Sequence, residues 1–131
     1  MTLAQMIDAA GLFSTDINER NFPLDKEGVY DASGLYLMRD REWTINEVEA
    51  AVKRGGGRLE GLVRGLAYLK ANRDALKDGP IVFPASSWVL RGRVSVPFAS
   101  LVGGDAPWLL LIEDGRDNRW PRHFRFLVSG K

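Results

Sequence analysis

Residues 43–70 of the chain read WTINEVEAAVKRGGGRLEGLVRGLAYLK, and this stretch carries the strongest helix signals in the sequence. Thr44 is followed three residues later by Glu47, which is the spacing of a capping box at a helix N-terminus. Apolar residues then recur at the period of a helix, at Ile45, Val48, Ala51 and Val52. Three consecutive glycines, Gly55-Gly56-Gly57, end the predicted helix because glycine is a poor helix former.

A second helix is predicted over residues 58–72. Its apolar positions keep the helical period at Leu59, Leu62, Val63, Leu66 and Leu69. Gly61 and Gly65 lie four positions apart inside this helix and share one face, which predicts close packing against a strand. We interpret Gly55-Gly56-Gly57-Arg58 as a flexible connector between the two helices, because a phosphate-binding loop would need a Lys followed by Ser or Thr.

Short strands are predicted on both sides of this helical pair. A strand over residues 35–38 comes before it, and a turn at Asp78-Gly79-Pro80 comes after it. Runs of apolar and β-branched residues then predict strands at 81–83, 87–90, 94–98, 108–112 and 123–128. Arg91-Gly92-Arg93 is the predicted turn between the second and third of these. The pattern indicates an α+β fold with two helices against a mostly antiparallel sheet.

The N-terminal quarter of the chain adds a short helix and a long connection. Thr2 and Gln5 have capping-box spacing at the start of an amphipathic segment. Residues 14–34 are rich in Asp, Asn, Gly and Ser, which is typical of a loop. We therefore expect residues 1–34 to form a helix and an arm, and residues 35–131 to form the α+β body.

The composition is that of an ordinary globular protein. The chain has 131 residues, of which 45% are hydrophobic and 27% charged, and this length predicts one domain over residues 1–131. No apolar run approaches the ~18 residues of a membrane span, and the N-terminal segment lacks the basic start of a signal peptide. The absence of Cys excludes disulfides and Cys-ligated zinc. We expect a cytoplasmic protein with no cofactor, no metal and no membrane partner.

The net charge of +1 conceals an uneven distribution along the chain. Residues 1–50 carry a net charge of −6, residues 51–115 carry +3 and residues 116–131 carry +4. The basic C-terminal end either pairs with the acidic N-terminal part of the same fold or attracts phosphates or an acidic protein surface. We favour the internal pairing.

The segment 116–123, RDNRWPRH, is the main candidate for a binding site. It combines three arginines with a Trp, an Asn and a His, and Arg and Trp are the residue types that dominate interface hot spots. The same types can also stack on and neutralise a nucleic-acid strand. The opposing interpretation places Trp120 in the core and leaves the arginines on a solvated loop. The candidate ligand-binding residues are Arg116, Asp117, Asn118, Arg119, Trp120, Arg122 and His123.

Catalytic and metal-binding interpretations find less support. His123 is the single histidine, and as a general base it would need Asp114, Asp117 or Ser129 nearby. Oxygen ligands for calcium are available at Glu113, Asp114, Asp117 and Asn118, but their spacing is not that of an EF-hand. A structural His123 and a solvated loop are therefore the better interpretations, and we find no enzyme signature.

Several short motifs along the chain carry a family resemblance. In the body they are Pro80-Ile81-Val82, Ser87-Trp88, Val96-Pro97, Trp120 and Phe124-Arg125-Phe126-Leu127-Val128. Further motifs are Ile17-Asn18, Asn21-Phe22-Pro23-Leu24 and Gly57-Arg58-Leu59. Together they resemble a group of small bacterial proteins whose C-terminal portion is similar to C-type-lectin-like domains. This group is similar to the variable target proteins of diversity-generating retroelements and shares its fold with formylglycine-generating-enzyme domains. The chain ends Leu127-Val128-Ser129-Gly130-Lys131, where the group usually has Leu-Ala-Val-Arg-Lys.

The resemblance implies a C-type-lectin-like scaffold that lacks two of the activities this fold supports. The Glu-Pro-Asn and Trp-Asn-Asp motifs of calcium-dependent lectins are absent, as are the catalytic cysteines of the formylglycine-generating enzyme. In the variable target proteins the final loop and strand form the ligand face, which corresponds here to Arg116, Asp117, Asn118, Arg119, Arg122 and His123.

Three hypotheses for the function follow from the sequence. The first is a non-enzymatic binding module that presents the Arg/Trp-rich loop to another protein. The second is a nucleic-acid-associated protein, or a phage- or mobile-element-encoded inhibitor, that uses the basic C-terminal face. The third is a small enzyme with His123 as general base.

Overall fold

The structure, a computed structural model, describes residues 1–39, 41–113 and 116–130. Within these ranges it has three α-helices, eight strands and two short 3₁₀ helices. The helices are α1 (Leu3–Ala9), α2 (Ile45–Arg54) and α3 (Leu62–Ala71), and the 3₁₀ helices are Leu24–Lys26 and Ala75–Asp78. The strands are β1 (Phe13–Ser14), β2 (Leu35–Met38), β3 (Arg58–Leu59), β4 (Ile81–Val82), β5 (Trp88–Leu90), β6 (Arg93–Val102), β7 (Ala106–Glu113) and β8 (Arg125–Ser129). The α+β prediction is confirmed.

All eight strands belong to one mixed sheet. Its main path runs β1-β7-β6-β4-β8-β2, while β3 also pairs with β8 and β5 with β6. Among the described strands the pairings β1–β7 and β4–β8 are parallel, and the other pairings are antiparallel. The expectation of a mostly antiparallel sheet therefore holds.

The helices cover both faces of this sheet. Successive residues of a strand point to opposite faces, and in β8 Leu127 packs in one core while Phe126 and Val128 pack in another. The first core contains the apolar faces of α1 and α3, and the second contains that of α2. In the part of the chain that the structure describes, no helix is long and apolar enough to cross a membrane.

Both predicted capping boxes are present. At α1 the Gln5 N–H donates to Thr2 Oγ1 at 3.1 Å, and the Thr2 N–H donates to the Gln5 side chain at 2.8 Å. At α2 the Glu47 N–H donates to Thr44 Oγ1 at 3.1 Å, and the Thr44 N–H donates to the Glu47 carboxylate at 3.0 Å. Each box satisfies N–H groups that the first turn of a helix leaves without intrahelical acceptors.

The predicted start of the second helix at residue 58 is wrong. Arg58 and Leu59 form β3 and pair with Ser129 and Val128 of β8, and α3 begins only at Leu62. The Glu60 N–H also donates to the Leu127 carbonyl at 3.1 Å. Sheet hydrogen bonds to a strand some 70 residues away along the chain thus override the local helical period.

The glycines in this region permit close packing. A Cβ at Gly65 would lie 2.4 Å from Cδ1 of Phe83, which follows β4 directly, so the predicted close approach to a strand region is found. Gly61 is the N-cap of α3 rather than an interior residue. A Cβ at Gly57 would lie 2.1 Å from the Ser129 carbonyl oxygen. Gly57 therefore packs closely against β8, and the triple glycine leads from α2 into β3 rather than directly into a second helix.

Several strand limits differ from the sequence prediction. β6 and β7 form a longer hairpin than expected, because their pairing continues from Ser95–Glu113 to Val102–Ala106. β8 begins at Arg125, since the Phe124 N–H donates to the Pro121 carbonyl and closes a turn there. The predicted turn after β5 is present, with Arg91 at φ 54° and Gly92 at φ 77°. Positive φ at both central residues is the requirement of a tight two-residue hairpin.

A buried arginine ties the arm to the helical body. Arg64 Nη1 donates to Glu60 Oε2 at 2.7 Å, and both side chains are at least nine-tenths buried. Arg64 also donates through Nε to the Asp31 carbonyl at 3.0 Å and through Nη2 to the Ser33 carbonyl. Since Asp31 and Ser33 belong to the arm, one desolvated cation holds its C-terminal end against α3.

A second polar contact joins the arm to the N-terminus of α3. The Leu62 N–H donates to Ser86 Oγ at 2.7 Å, and the Ser86 hydroxyl in turn donates to Glu27 Oε2. Burial raises the pKa of the Glu27 carboxyl, and the hydrogen bonds from Ser86 and from the Leu62 backbone act against this shift. Desolvation is the larger effect, so ionisation of Glu27 is less favourable in the folded protein than in the unfolded chain.

We predict that Gly65→Ala destabilises the fold by about 1–3 kcal/mol, because the new methyl group would overpack against the Phe83 ring. The better helix propensity of Ala acts in the opposite direction. Gly55→Ala is the control, since its Cβ would lie at an ordinary contact distance of 3.6 Å from the Val52 carbonyl oxygen. Urea unfolding of both variants checks this, and equal stabilities would contradict the close packing.

Glu27→Gln tests the linkage between pH and stability. Because the folded-state pKa of Glu27 is raised, its contribution is full at low pH and is lost as the pH rises through that pKa. We expect the free energy of unfolding of the wild type, minus that of the variant, to fall as the pH rises above the ordinary pKa of a glutamate, about 4.3. The lowered pKa values of Asp31 and Glu47 affect both proteins and cancel in the difference. A difference that grows with pH would refute the assignment.

Candidate functional site

The arginines at the start of the C-terminal loop contact the N-terminal part of α2. Arg119 Nη1 donates to Glu47 Oε1 at 2.9 Å and to the Glu42 carbonyl at 3.2 Å. Arg116 Nη2 donates to Glu49 Oε1 at 2.8 Å. These contacts join the basic C-terminal end to the acidic first part of the chain, as the charge distribution predicts. The side chains of Arg116 and Arg119 stay more than a third exposed. Each ion pair therefore contributes about 1 kcal/mol or less to the stability of the fold.

Asp117, which lies between these arginines, also contacts α2. Asn46 Nδ2 donates to Asp117 Oδ1 at 2.7 Å, and Arg116 Nε donates to Asn46 Oδ1 at 2.9 Å. The Asn46 N–H donates to the Arg116 carbonyl at 3.2 Å. Asn118 follows on the exposed side of the loop. Asp117 and Arg116 therefore fasten the loop to the first turn of α2.

Trp120 is a core residue. Its side chain is only 4% exposed and packs in the core on the α2 side of the sheet. The ring lies edge-on to Phe124 and Phe126, with centroid distances of 5.1 and 5.7 Å. The Trp120 N–H donates to the Trp43 carbonyl at 2.9 Å. The sequence left open whether Trp120 is an exposed binding residue or a core residue, and the structure places it in the core.

The last two candidate residues line a different feature, a cleft of about 320 Å³. We call it the basic cleft, and its lining residues are Arg39, Asp78, Arg122, His123 and Arg125. Arg122 and His123 come from the exposed turn before β8. Arg39 follows β2, and Asp78 ends the 3₁₀ helix before β4. The volume is at the lower end of the range of small-ligand sites.

Arg125, the first residue of β8, forms the buried wall of this cleft. It is 4% exposed, and Nη2 donates to the carbonyls of Ala75 and Gly79 at 2.5 and 2.6 Å. Its Nε is buried and has no hydrogen-bond partner among the described residues. Burial lowers the pKa of this guanidinium, the Asp78 carboxylate raises it and the charge of Arg39 lowers it further. The strand thus holds a cation that the described residues hydrogen-bond only through neutral carbonyls.

Sequence reasoning missed Arg39, Asp78 and Arg125 as members of one site. Alternation along the predicted strand 123–128 puts Arg125 on the same face as His123, so the sequence held a usable signal for Arg125. Arg39 and Asp78 are 39 residues apart in the chain, and no local pattern connects them. They meet because β2 and β4 lie on either side of β8.

The residues considered as catalytic partners of His123 or as calcium ligands do not meet in one place. Asp117 contacts Asn46, Glu113 lies 3.5 Å from Arg93, and Ser129 is buried at the end of β8. Asp114 lies outside the described residues. Among the described residues, the carboxylate that shares the basic cleft with His123 is Asp78. Within residues 1–39, 41–113 and 116–130, no three His, Asp or Glu side chains are grouped closely enough to hold a metal ion.

Comparison with known proteins does not supply a relative. No protein-family model, curated protein or solved structure matches the chain. The geometry of the loop and of the basic cleft therefore provides the argument for function.

Substitutions at Trp120 and Arg119 test which residue of the loop belongs to the core and which to the surface. Trp120→Ala is expected to lower the free energy of unfolding by about 3–5 kcal/mol, because it empties a buried aromatic site. Arg119→Ala is expected to cost about 1 kcal/mol or less, because its ion pair is exposed. Thermal or urea unfolding measures both. A small effect at Trp120 would contradict its placement in the core.

Proposed function

We propose that the protein is a non-enzymatic binding module that takes an acidic side chain or carboxyl terminus of a protein partner in the basic cleft. The observation that carries this proposal is that, among the described residues that line one small cleft, cationic side chains outnumber acidic ones. Arg122 and His123 stand at its exposed side and Arg125 at its buried side.

The charge of Arg125 supports an anionic ligand. Desolvation of a cation is costly unless a counter-charge compensates it, and the hydrogen bonds seen here are to main-chain carbonyls. An anion in the cleft would add charge-assisted hydrogen bonds from Arg122 and would offset the repulsion among the cations. A site built partly on a strand also keeps its geometry better than one built on a loop alone.

The protein partner is favoured over nucleic acid by two observations. Trp120 is buried and therefore does not offer a face on which a base can stack. Arg116 and Arg119 contact Glu49 and Glu47, so the loop does not present a continuous row of cations to a phosphate backbone. A compact cleft suits a single carboxylate better than an extended polyanion.

The C-type-lectin-like character of the scaffold belongs to the same proposal and rests on the sequence motifs. In that interpretation the final loop and strand form the ligand face. The basic cleft lies at the junction of this loop with β8, so the proposed site keeps Arg122 and His123 from the sequence-based set. Other residues of that set then hold the loop in place through their contacts with α2 and with the core, and they are Arg116, Asp117, Arg119 and Trp120.

NMR spectroscopy of His123 tests the proposal directly. His123 is the only histidine of the chain, so its imidazole Cε1 proton gives one assignable signal from the cleft. We expect acetyl-tetraglutamate amide to shift this signal saturably, and acetyl-tetraglutamine amide to leave it in place. Arg122→Glu should weaken tetraglutamate binding at least about tenfold, because it replaces an attractive charge by a repulsive one.

Arg20→Glu is the matched control, because it makes the same charge change at an exposed arm residue outside the cleft. Its tetraglutamate affinity should stay within about twofold of the wild type if the effect is local. No shift with tetraglutamate, or equal weakening in both variants, would refute the proposal. Tighter binding of oligo(dT) that weakens steeply with added salt would assign the cleft to nucleic acid instead.

A further inference from the structure

A second cavity, of about 390 Å³, lies apart from the loop and has a mainly apolar lining. It is enclosed by the end of α1, the end of α3, the 3₁₀ helix Ala75–Asp78 and the turn between β6 and β7. Leu12, Leu69 and Leu76 form its floor, and each is at most 8% exposed. The size and the apolar floor are those of a small-molecule site.

The charges of this cavity lie at its rim. Arg73 and Lys77 are exposed lining residues, and Asp105 is the one carboxylate among the lining residues that the structure describes. Arg73 Nη1 lies over Gly11, where an added Cβ would be 3.3 Å away, so the guanidinium is placed at the mouth. Lys77 contacts Asp74 at 3.2 Å, but both side chains are more than 70% exposed. Such a pair is weak and leaves Lys77 able to turn toward a ligand.

We propose that this cavity binds a small amphipathic acid, with its apolar body against Leu12, Leu69 and Leu76 and its anionic head at Arg73 and Lys77. The apolar floor explains the preference for a hydrocarbon or aromatic body, because burial there removes apolar surface from water. Arg73 and Lys77 favour an anionic head over a neutral or cationic one, because each can donate charge-assisted hydrogen bonds and the exposed contact of Lys77 with Asp74 is weak. This site is separate from the basic cleft and does not depend on its function.

Decanoate and decanol distinguish charge recognition from simple apolar binding. Leucine methyl signals of Leu12, Leu69 and Leu76 are expected to shift saturably with decanoate, while the His123 signal stays in place. Decanol, which has the same chain without the charge, should bind at least about tenfold more weakly. Methyl shifts that are absent, or equal affinities for decanoate and decanol, would overturn the proposal.

Variants that change the charge at the rim of the cavity test where the carboxylate of decanoate binds. Arg73→Glu/Lys77→Glu should weaken decanoate binding at least about tenfold and change decanol binding less than about twofold. If the double variant does not fold, Lys77→Glu alone replaces it, because the Lys77 side chain is 71% exposed. It should also weaken decanoate binding. Asp105→Asn should tighten decanoate binding, and Arg20→Glu should leave it unchanged. Equal weakening of decanoate and decanol, or weakening by Asp105→Asn, would refute the assignment of the head group.

Discussion

The structure depends on β8, a strand that is buried on both faces. Phe126, Leu127 and Val128 have no exposed surface, and they contribute in alternation to the core under α1 and α3 and to the core under α2. The same strand pairs with β2, β3 and β4. Because both cores and three strand pairings meet there, a polar or smaller residue at any of these positions would disturb the core that it faces at the centre of the sheet.

The position of Arg125 follows from this arrangement. Arg125 begins a strand whose next residues are fully buried, so its guanidinium also lies below the surface. There it donates hydrogen bonds to the carbonyls of Ala75 and Gly79. Arg122 and His123 precede it in a turn and stay exposed. The loop arginines thus have two roles. Arg116 and Arg119 fasten the loop to α2, while Arg122 stands beside the buried cation at the basic cleft.

Local signals in the sequence were sufficient wherever the physical cause was local. The two capping boxes and the Arg91-Gly92 turn depend on neighbouring residues, and they were predicted correctly. The helix predicted from residue 58 failed because β3 bonds to β8, which is about 70 residues distant in sequence. The basic cleft was found only in part for the same reason, since Arg39 and Asp78 reach it through strand order rather than through chain proximity.

By itself the sequence determined the fold class, the helix starts that carry their own caps, and the C-terminal loop as a concentration of Arg and Trp. These follow from periodicity, capping chemistry and composition, which act over a few residues. Tertiary structure decided that Trp120 belongs to the core, that Arg116 and Arg119 contact α2, and that Arg125 joins Arg122 and His123 around one cleft. Side-chain burial and charge pairing depend on which distant strands and helices become neighbours, and that is set only when β8 is enclosed.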